Sequence, residues 1–139
     1  MTKKLFIPIL MFLFFALLSC EEELTPNEAA SKILTSSSWK LQSTKIDGVS
    51  SNLYSGLQIT FTESGYTTDN GGDIFGASGS WTFNVTNGKE ITLGSGLNIQ
   101  LESLASTGLT VSFFWDKTIL NQGRTESLKG QHQMTFTGQ

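Results

Sequence analysis

The chain has 139 residues, a formal net charge of −3, one cysteine and one histidine. This length suits a single globular domain with one core, and the acidic balance excludes the basic patch that a nucleic-acid-binding protein needs. A lone cysteine also excludes a disulfide within the chain and a metal site built from several cysteines.

The first twenty residues have the pattern of an export signal. Lys3 and Lys4 are followed by an apolar run over residues 5–18 that only Pro8 interrupts. Such a run is typical of a secretory signal, since a membrane span needs about 20 apolar residues. Leu17-Leu18-Ser19-Cys20 resembles the lipobox of bacterial lipoproteins, in which the peptide is cut before an acylated cysteine. The resemblance implies a signal peptide over residues 1–19 and lipid attachment at Cys20.

An acidic tether over residues 20–25 follows, because Glu21, Glu22 and Glu23 come directly after Cys20. A run of this kind is similar to the export signal that places Bacteroidetes lipoproteins on the outer face of the outer membrane. The alternative reading is a solvated spacer. We expect a lipid-anchored protein of the outer membrane, displayed on the cell surface. The mature chain keeps 7 basic and 12 acidic side chains, which gives a net charge of −5.

Residues 25–34 carry the signals of a short helix at the start of a domain over residues 26–139. Thr25 is placed as the N-cap, Pro26 at the first helical position, and Glu28 where it completes a capping box. The helix should end at Leu34, before the run of Ser and Thr. Its apolar side should lie against the domain as a short lid or plug.

From Trp39 onward, apolar and polar residues alternate, which is typical of half-buried antiparallel strands. Glycine-containing turn signals separate the segments, and βαβ spacing is not found, which argues against a doubly wound fold. Residues 116–129 are read as a long hairpin or as an irregular loop. The pattern predicts about eight strands, at residues 39–43, 57–62, 66–68, 80–85, 89–93, 97–102, 109–115 and 133–137.

Eight short antiparallel strands predict an all-β, up-and-down barrel, because closure removes the exposed sheet edges. Three segments resemble the lipocalin-like domains of Bacteroidetes lipoproteins: residues 38–41, 59–66 and 79–83. In lipocalins a Gly-x-Trp motif opens the first strand, and an Arg near the last strand packs over this Trp. Trp39 matches the Trp, whereas Ser37 stands where the Gly would be and the only arginine is Arg124. The resemblance implies a lipocalin-like barrel.

The alternation also predicts which side chains point into the barrel. The candidate ligand-binding residues are the aromatic ones: Trp39, Phe61, Trp81, Phe83 and Phe113. They would line a pocket for a small hydrophobic ligand, or the side chains would simply fill the barrel, a reading that the short strands favour. The other members of the inward set are Leu41, Leu57, Ile59, Val85, Ile91, Leu93, Leu97, Ile99, Leu101, Leu109, Val111, Met134 and Phe136.

Several residues outside this set have two readings each. Phe114 should point outward, as the seat of the helix or as a patch for a partner, and we favour the seat. Ile74 and Phe75 lie in a glycine-rich loop that acts as a portal or as an end-cap. His132 should be an exposed polar residue. Residues 69–73 lack the full ligand spacing and the closing Glu of an EF-hand, so we expect no metal.

The sequence offers no catalytic constellation: it has no paired carboxylates, no nucleophile elbow and no phosphate-binding loop. We expect no enzymatic activity and no cofactor. The expected function is that of a membrane-anchored lipocalin-like lipoprotein that binds a small hydrophobic ligand in its barrel. The alternative is a filled barrel that serves as an accessory or interaction module for another envelope protein. The expected partners are the membrane, through the lipid, and either a small apolar ligand or another envelope protein. A nucleic-acid partner is not expected.

Overall fold

The computed structural model describes residues 20–117 and 128–139. The predicted signal peptide, Arg124 and most of the segment 116–129 lie outside the described residues. Within the described ranges, none of the helices has the length and apolar character needed to cross a membrane. The elements are α1 (Pro26–Leu34), β1 (Ser38–Ile46), β2 (Val49–Ser51), β3 (Gln58–Phe61), β4 (Gly65–Asp69), α2 (Gly72–Phe75), β5 (Ser78–Phe83), β6 (Glu90–Leu93), β7 (Asn98–Ala105), β8 (Gly108–Trp115) and β9 (Gly130–Gly138).

Eight of the strands close into an antiparallel barrel. Their order is β1-β3-β4-β5-β6-β7-β8-β9, and β9 pairs back with β1 from Trp39 opposite Gly138 to Ile46 opposite His132. The short strand β2 pairs with β1 outside this ring. The predicted all-β up-and-down barrel is therefore confirmed, and its architecture is that of a lipocalin-like barrel.

The strand β2 was not predicted, and its origin lies in a two-residue turn. Asp47 and Gly48 have φ angles of 50° and 81°, and positive values at both positions define the type I′ turn that joins antiparallel strands. This turn folds β2 back on the end of β1. Because β2 is largely exposed, it lacks the alternation by which the other strands are recognised.

Two register shifts bend the barrel wall, one in β1 between Leu41 and Ser43 and one in β7 between Leu101 and Ser103. A bulge adds one residue to a strand and increases its twist, which helps a sheet to close. The bulge in β1 also reverses the alternation that follows it. As a result, Thr44 faces the interior and is 3% exposed.

Helix α1 closes one end of the barrel, which we call the helix end. Its capping box forms as predicted: the Thr25 hydroxyl accepts from the Glu28 amide at 3.3 Å, and the Glu28 carboxylate accepts from the Thr25 amide at 2.8 Å. Leu34 is fully buried, and its carbonyl oxygen accepts a hydrogen bond of 2.9 Å from Trp39 Nε1. The predicted plug is confirmed.

The first turn of α1 is held against the turn between β5 and β6. The side-chain oxygen of Asn27 accepts a hydrogen bond of 2.8 Å from the Gly88 amide. Gly88 has a φ of +70°, and a Cβ atom there would lie 2.5 Å from the Pro26 carbonyl oxygen. Glycine is therefore required at this position for two independent reasons, its backbone conformation and the close approach of the helix.

The opposite end, which we call the loop end, carries the β4–β5 loop, the β6–β7 turn and the start of β9. Helix α2 lies in the β4–β5 loop and buries Ile74 and Phe75, which are 3% and 4% exposed. The Tyr66 hydroxyl donates to the Phe75 carbonyl oxygen at 2.8 Å. Of the two readings of this loop, the burial and the hydrogen bond favour the end-cap.

Candidate functional site: the barrel interior and a cleft at its rim

The five predicted ligand-binding aromatics occupy three separate places. Phe61 and Phe83 each make a T-shaped contact with Trp81, and their ring centroids lie 5.8 and 5.2 Å from that of Trp81. Trp39 lies at the helix end under α1, and Phe113 lies on β8 near the loop end. The structure therefore brings three of the five together and leaves the other two apart.

The two predicted site tryptophans are both tied to the backbone. Trp81 Nε1 donates to the carbonyl oxygens of Thr62 and Gly65, at 2.9 and 3.1 Å. Trp39 Nε1 donates to Leu34, as described above. Because a buried indole N–H usually finds an acceptor, these bonds fix both rings as parts of the barrel wall and its plug.

The interior between these aromatics is packed. The cavity along the barrel axis has a volume of about 10 Å³, close to the minimum space for one water molecule. Sites for small organic ligands usually have about 300 to 1,000 Å³. Apolar side chains contributed by most of the barrel strands line this space, among them Ile59, Ile91, Leu101, Val111 and Phe136.

Most of the predicted inward set is buried, with exceptions at the strand ends. Val85 is 38% exposed, so its predicted inward position is wrong. The strand β5 ends at Phe83, and Val85 lies beyond it in the turn, where the alternation no longer applies. Leu41, Phe83 and Leu97 are half-buried and pack against the core.

The prediction that His132 is exposed is wrong, because its side chain is fully buried on β9. The imidazole stacks on Phe113 with ring centroids 4.9 Å apart and planes 10° apart. His132 Nδ1 lies 3.1 Å from the Gly130 carbonyl oxygen. Since that oxygen can only accept, Nδ1 carries the proton and Nε2 carries a lone pair. Burial lowers the pKa of His132, against the opposing effects of the Gly130 carbonyl and the Asp47 carboxylate.

The loop end of the interior contains buried polar atoms that have no hydrogen-bond partner among the described residues. They are Thr44 Oγ1, Trp115 Nε1 and His132 Nε2. The three residues lie on β1, β8 and β9, which are neighbours in the barrel. Buried polar groups are usually satisfied. Among the described residues the two ends of the barrel therefore differ: the Trp39 indole at the helix end has a partner, whereas these three atoms at the loop end have none.

A cleft opens at the rim of the loop end, where β7 and β8 separate. Their pairing runs from Ala105 opposite Gly108 to Gln100 opposite Ser112, whereas β7 begins at Asn98 and β8 continues to Trp115. The cleft has a volume of about 440 Å³. Its lining includes Ser95, Leu97, Asn98, Gln100, Ser112, Phe113, Phe114, Trp115, Asp116, Lys117 and Gln131.

Phe114 lies on this rim cleft and is 56% exposed. The favoured prediction, that Phe114 seats the N-terminal helix, is wrong because α1 covers the opposite end of the barrel. Beside it, the Lys117 ammonium group lies over the Trp115 ring, 5.3 Å from its centroid, at a distance suited to a cation–π contact. Sequence alternation could not reveal this cleft, because it arises where two strands diverge.

These features define a lipocalin-like barrel with a packed interior and a cleft at its rim. Comparison of the chain with protein-family models and with curated proteins finds no match. Within residues 20–117 and 128–139, no three His, Cys, Asp or Glu side chains are grouped so as to hold a metal ion. Cys20, the predicted lipid attachment site, is exposed.

Proposed function

We propose that the protein is a lipid-anchored lipoprotein of the cell envelope whose filled barrel serves as an interaction module for another envelope protein. The observation that carries the proposal is the interior cavity of about 10 Å³. Sites for small organic ligands usually have about 300 Å³ or more, so such a ligand could enter only if many core side chains moved together. A packed barrel is instead a rigid support for an outer surface.

The anchor in this proposal is an acylated Cys20. Residues 20–25 have no regular secondary structure and precede α1 directly. Six extended residues span at most about 20 Å, so the tether would hold the domain close to the bilayer. Each buried CH₂ group contributes about 0.8 kcal/mol, and two or three acyl chains give stable anchoring where one gives only marginal binding.

This short tether also orients the barrel. Because α1 begins at Pro26 and covers the helix end, the helix end would face the membrane and the loop end would face away. The strand β8 has 8 residues, which at about 3.3 Å per residue and a tilt of about 40° gives a separation of about 20 Å between the ends. Exposed Phe114 and the rim cleft would then face a partner beyond the bilayer surface.

The proposal is tested by photo-crosslinking in intact cells. A photoreactive phenylalanine analogue replaces Phe114 at the loop end or, as a matched control, Val85 at the helix end, since both positions are exposed. We expect a discrete crosslink to one envelope protein from position 114 and none from position 85. The same crosslinks from both positions, or none from either, would contradict a partner at the loop end.

The anchor is tested separately, by metabolic labelling with an alkyne-bearing fatty acid. The wild-type protein should take up the label, and Cys20→Ser should lose it and leave the membrane fraction. Labelling that persists in Cys20→Ser would exclude Cys20 as the attachment site. Digestion of intact cells with an added protease then distinguishes surface display, in which the domain is cut, from an inward-facing domain, which stays protected.

A further inference from the structure

The rim cleft is lined by amide and hydroxyl side chains beside an exposed aromatic ring, unlike the apolar interior of the barrel. We propose that this cleft binds a neutral saccharide, with one sugar ring stacked on Phe114 and its hydroxyl groups bonded to the amide and hydroxyl side chains around it. The inference goes beyond the proposed function and does not depend on lipidation or on a protein partner. The cleft volume of about 440 Å³ lies in the range of small-ligand sites and leaves room for one or two sugar rings.

The polar part of the lining is dominated by neutral groups that both donate and accept hydrogen bonds. These are the hydroxyls and amides of Ser95, Asn98, Gln100, Ser112 and Gln131. Sugar hydroxyls also donate and accept, so they match this set. Asp116 and Lys117 contribute one charge of each sign, so the side chains that line the cleft have no net charge of their own.

The apolar part of the lining has a face open to solvent. Phe114 is 56% exposed, and the face of an aromatic ring carries negative potential that attracts polarised C–H groups. A pyranose ring presents such C–H groups on its face and hydroxyls around its rim. A purely apolar ligand would instead remove water from the amides without replacing their hydrogen bonds, which is unfavourable.

Two of the polar side chains are already held in place by carboxylates outside the lining. The side-chain amide nitrogen of Gln100 donates to the Glu90 carboxylate, and the Ser112 hydroxyl donates to the Glu102 carboxylate. The side-chain oxygens of Gln100 and Ser112 therefore remain as acceptors for sugar hydroxyls. Because these side chains are fixed before binding, less conformational entropy is lost when a ligand is bound.

The test is a titration of the protein with saccharides, monitored by two-dimensional ¹H–¹⁵N NMR. The full chain is extracted from membranes in a detergent that has no sugar headgroup, because a sugar headgroup would compete with the probes for the site. The probes are glucose, galactose, mannose, xylose, N-acetylglucosamine, maltose and cellobiose. We expect at least one of them to give saturable shifts confined to residues 95–100, 112–117 and 131.

Variants connect the shifts to the cleft. Phe114→Ala should weaken the affinity at least about fivefold, and Phe114→Tyr, which keeps the ring face, should retain it. Val49→Ala is the matched control, because Val49 is 69% exposed and lies on β2, outside the barrel ring. The affinity of this variant for the saccharide should equal that of the wild type.

Three results would overturn the proposal. One is that no saccharide in the panel shifts the cleft resonances. Another is that Phe114→Ala and Val49→Ala bind with the same affinity. The third is that an extended tetrapeptide saturates the cleft resonances where the saccharides do not, which would assign the gap between β7 and β8 to the addition of a peptide strand.

Discussion

Buried His132 should make the stability of the protein depend on pH in a window that only this residue controls. The group takes up a proton at about its ordinary pKa of 6.5 in the unfolded chain, and its pKa is lower in the folded protein because burial disfavours the charged form. Below pH 6.5 the unfolded state therefore binds more protons than the folded state. The free energy of unfolding should be constant above this pH and should fall as the pH is lowered toward the folded pKa.

The slope of this dependence follows from the linkage relation. One group that is protonated only in the unfolded state changes the free energy of unfolding by about 1.4 kcal/mol per pH unit. The structure explains why the folded protein resists protonation: a proton on Nε2 would have no acceptor among the described residues. The replacement His132→Phe keeps a flat ring against Phe113, loses the contact with Gly130, and removes the titrating group.

The assay is urea unfolding followed by tryptophan fluorescence between about pH 5 and pH 7.5. The chain has a single histidine, and free carboxylates titrate mostly below this range, so the window isolates His132. We expect the wild-type stability to fall below pH 6.5 and the stability of His132→Phe to stay nearly flat there. Parallel curves for the two proteins would refute the account of a buried neutral imidazole.

Three further substitutions test the packing of the barrel and of its plug. Val111→Phe should lower the free energy of unfolding by about 1 to 3 kcal/mol, because Val111 lines the cavity of about 10 Å³. Val49→Phe, at an exposed position, is the control. An unchanged free energy of unfolding in Val111→Phe would mean that the interior has spare room. Gly88→Ala should lower the free energy of unfolding by about 1 to 3 kcal/mol, and by more than Gly48→Ala, which has a positive φ but nothing within 4 Å of an added Cβ; equal losses by denaturant unfolding would contradict the docking of α1 at Gly88. Trp39→Phe should cost about 1 to 3 kcal/mol and speed amide hydrogen exchange in α1, because the Leu34 carbonyl loses its indole donor; unchanged exchange would contradict the role of Trp39 in holding the helix.

The barrel and the helix could be predicted because their signals are local. The capping box at Thr25 and Glu28 needs only residues three apart, and alternation over four to eight residues identifies most of the strands. Closure then follows from the need to remove sheet edges. The type I′ turn at Asp47 and Gly48 is also local, but β2 is too short and too exposed to show the alternation of a strand.

Long-range features could not be predicted in this way. The bulge between Leu41 and Ser43 exchanges inward and outward positions, which brings Thr44 into the core. His132 lies inside because Gly130 to Gly138 form one long strand opposite β1 and β8, whereas alternation placed the last strand only at residues 133–137. Val85 lies outside because its strand ends at Phe83.

The candidate site shows the same limit. The aromatic residues Trp39, Phe61, Trp81 and Phe113 were correctly expected to be buried, but burial alone does not distinguish a pocket from a core. That distinction depends on the volume left between side chains from all the strands. The rim cleft depends on where β7 and β8 separate, which no single segment encodes.

Native mass spectrometry of the full-length gene product, extracted from bacterial membranes, tests both the acylation of Cys20 and the filled barrel. We predict one species whose mass is that of the chain from Cys20 onward plus two or three acyl chains, with no additional bound hydrophobic molecule. A species that carries a non-covalent apolar ligand of several hundred daltons, lost only when the protein unfolds, would contradict the filled barrel. An unmodified Cys20 would contradict the anchor.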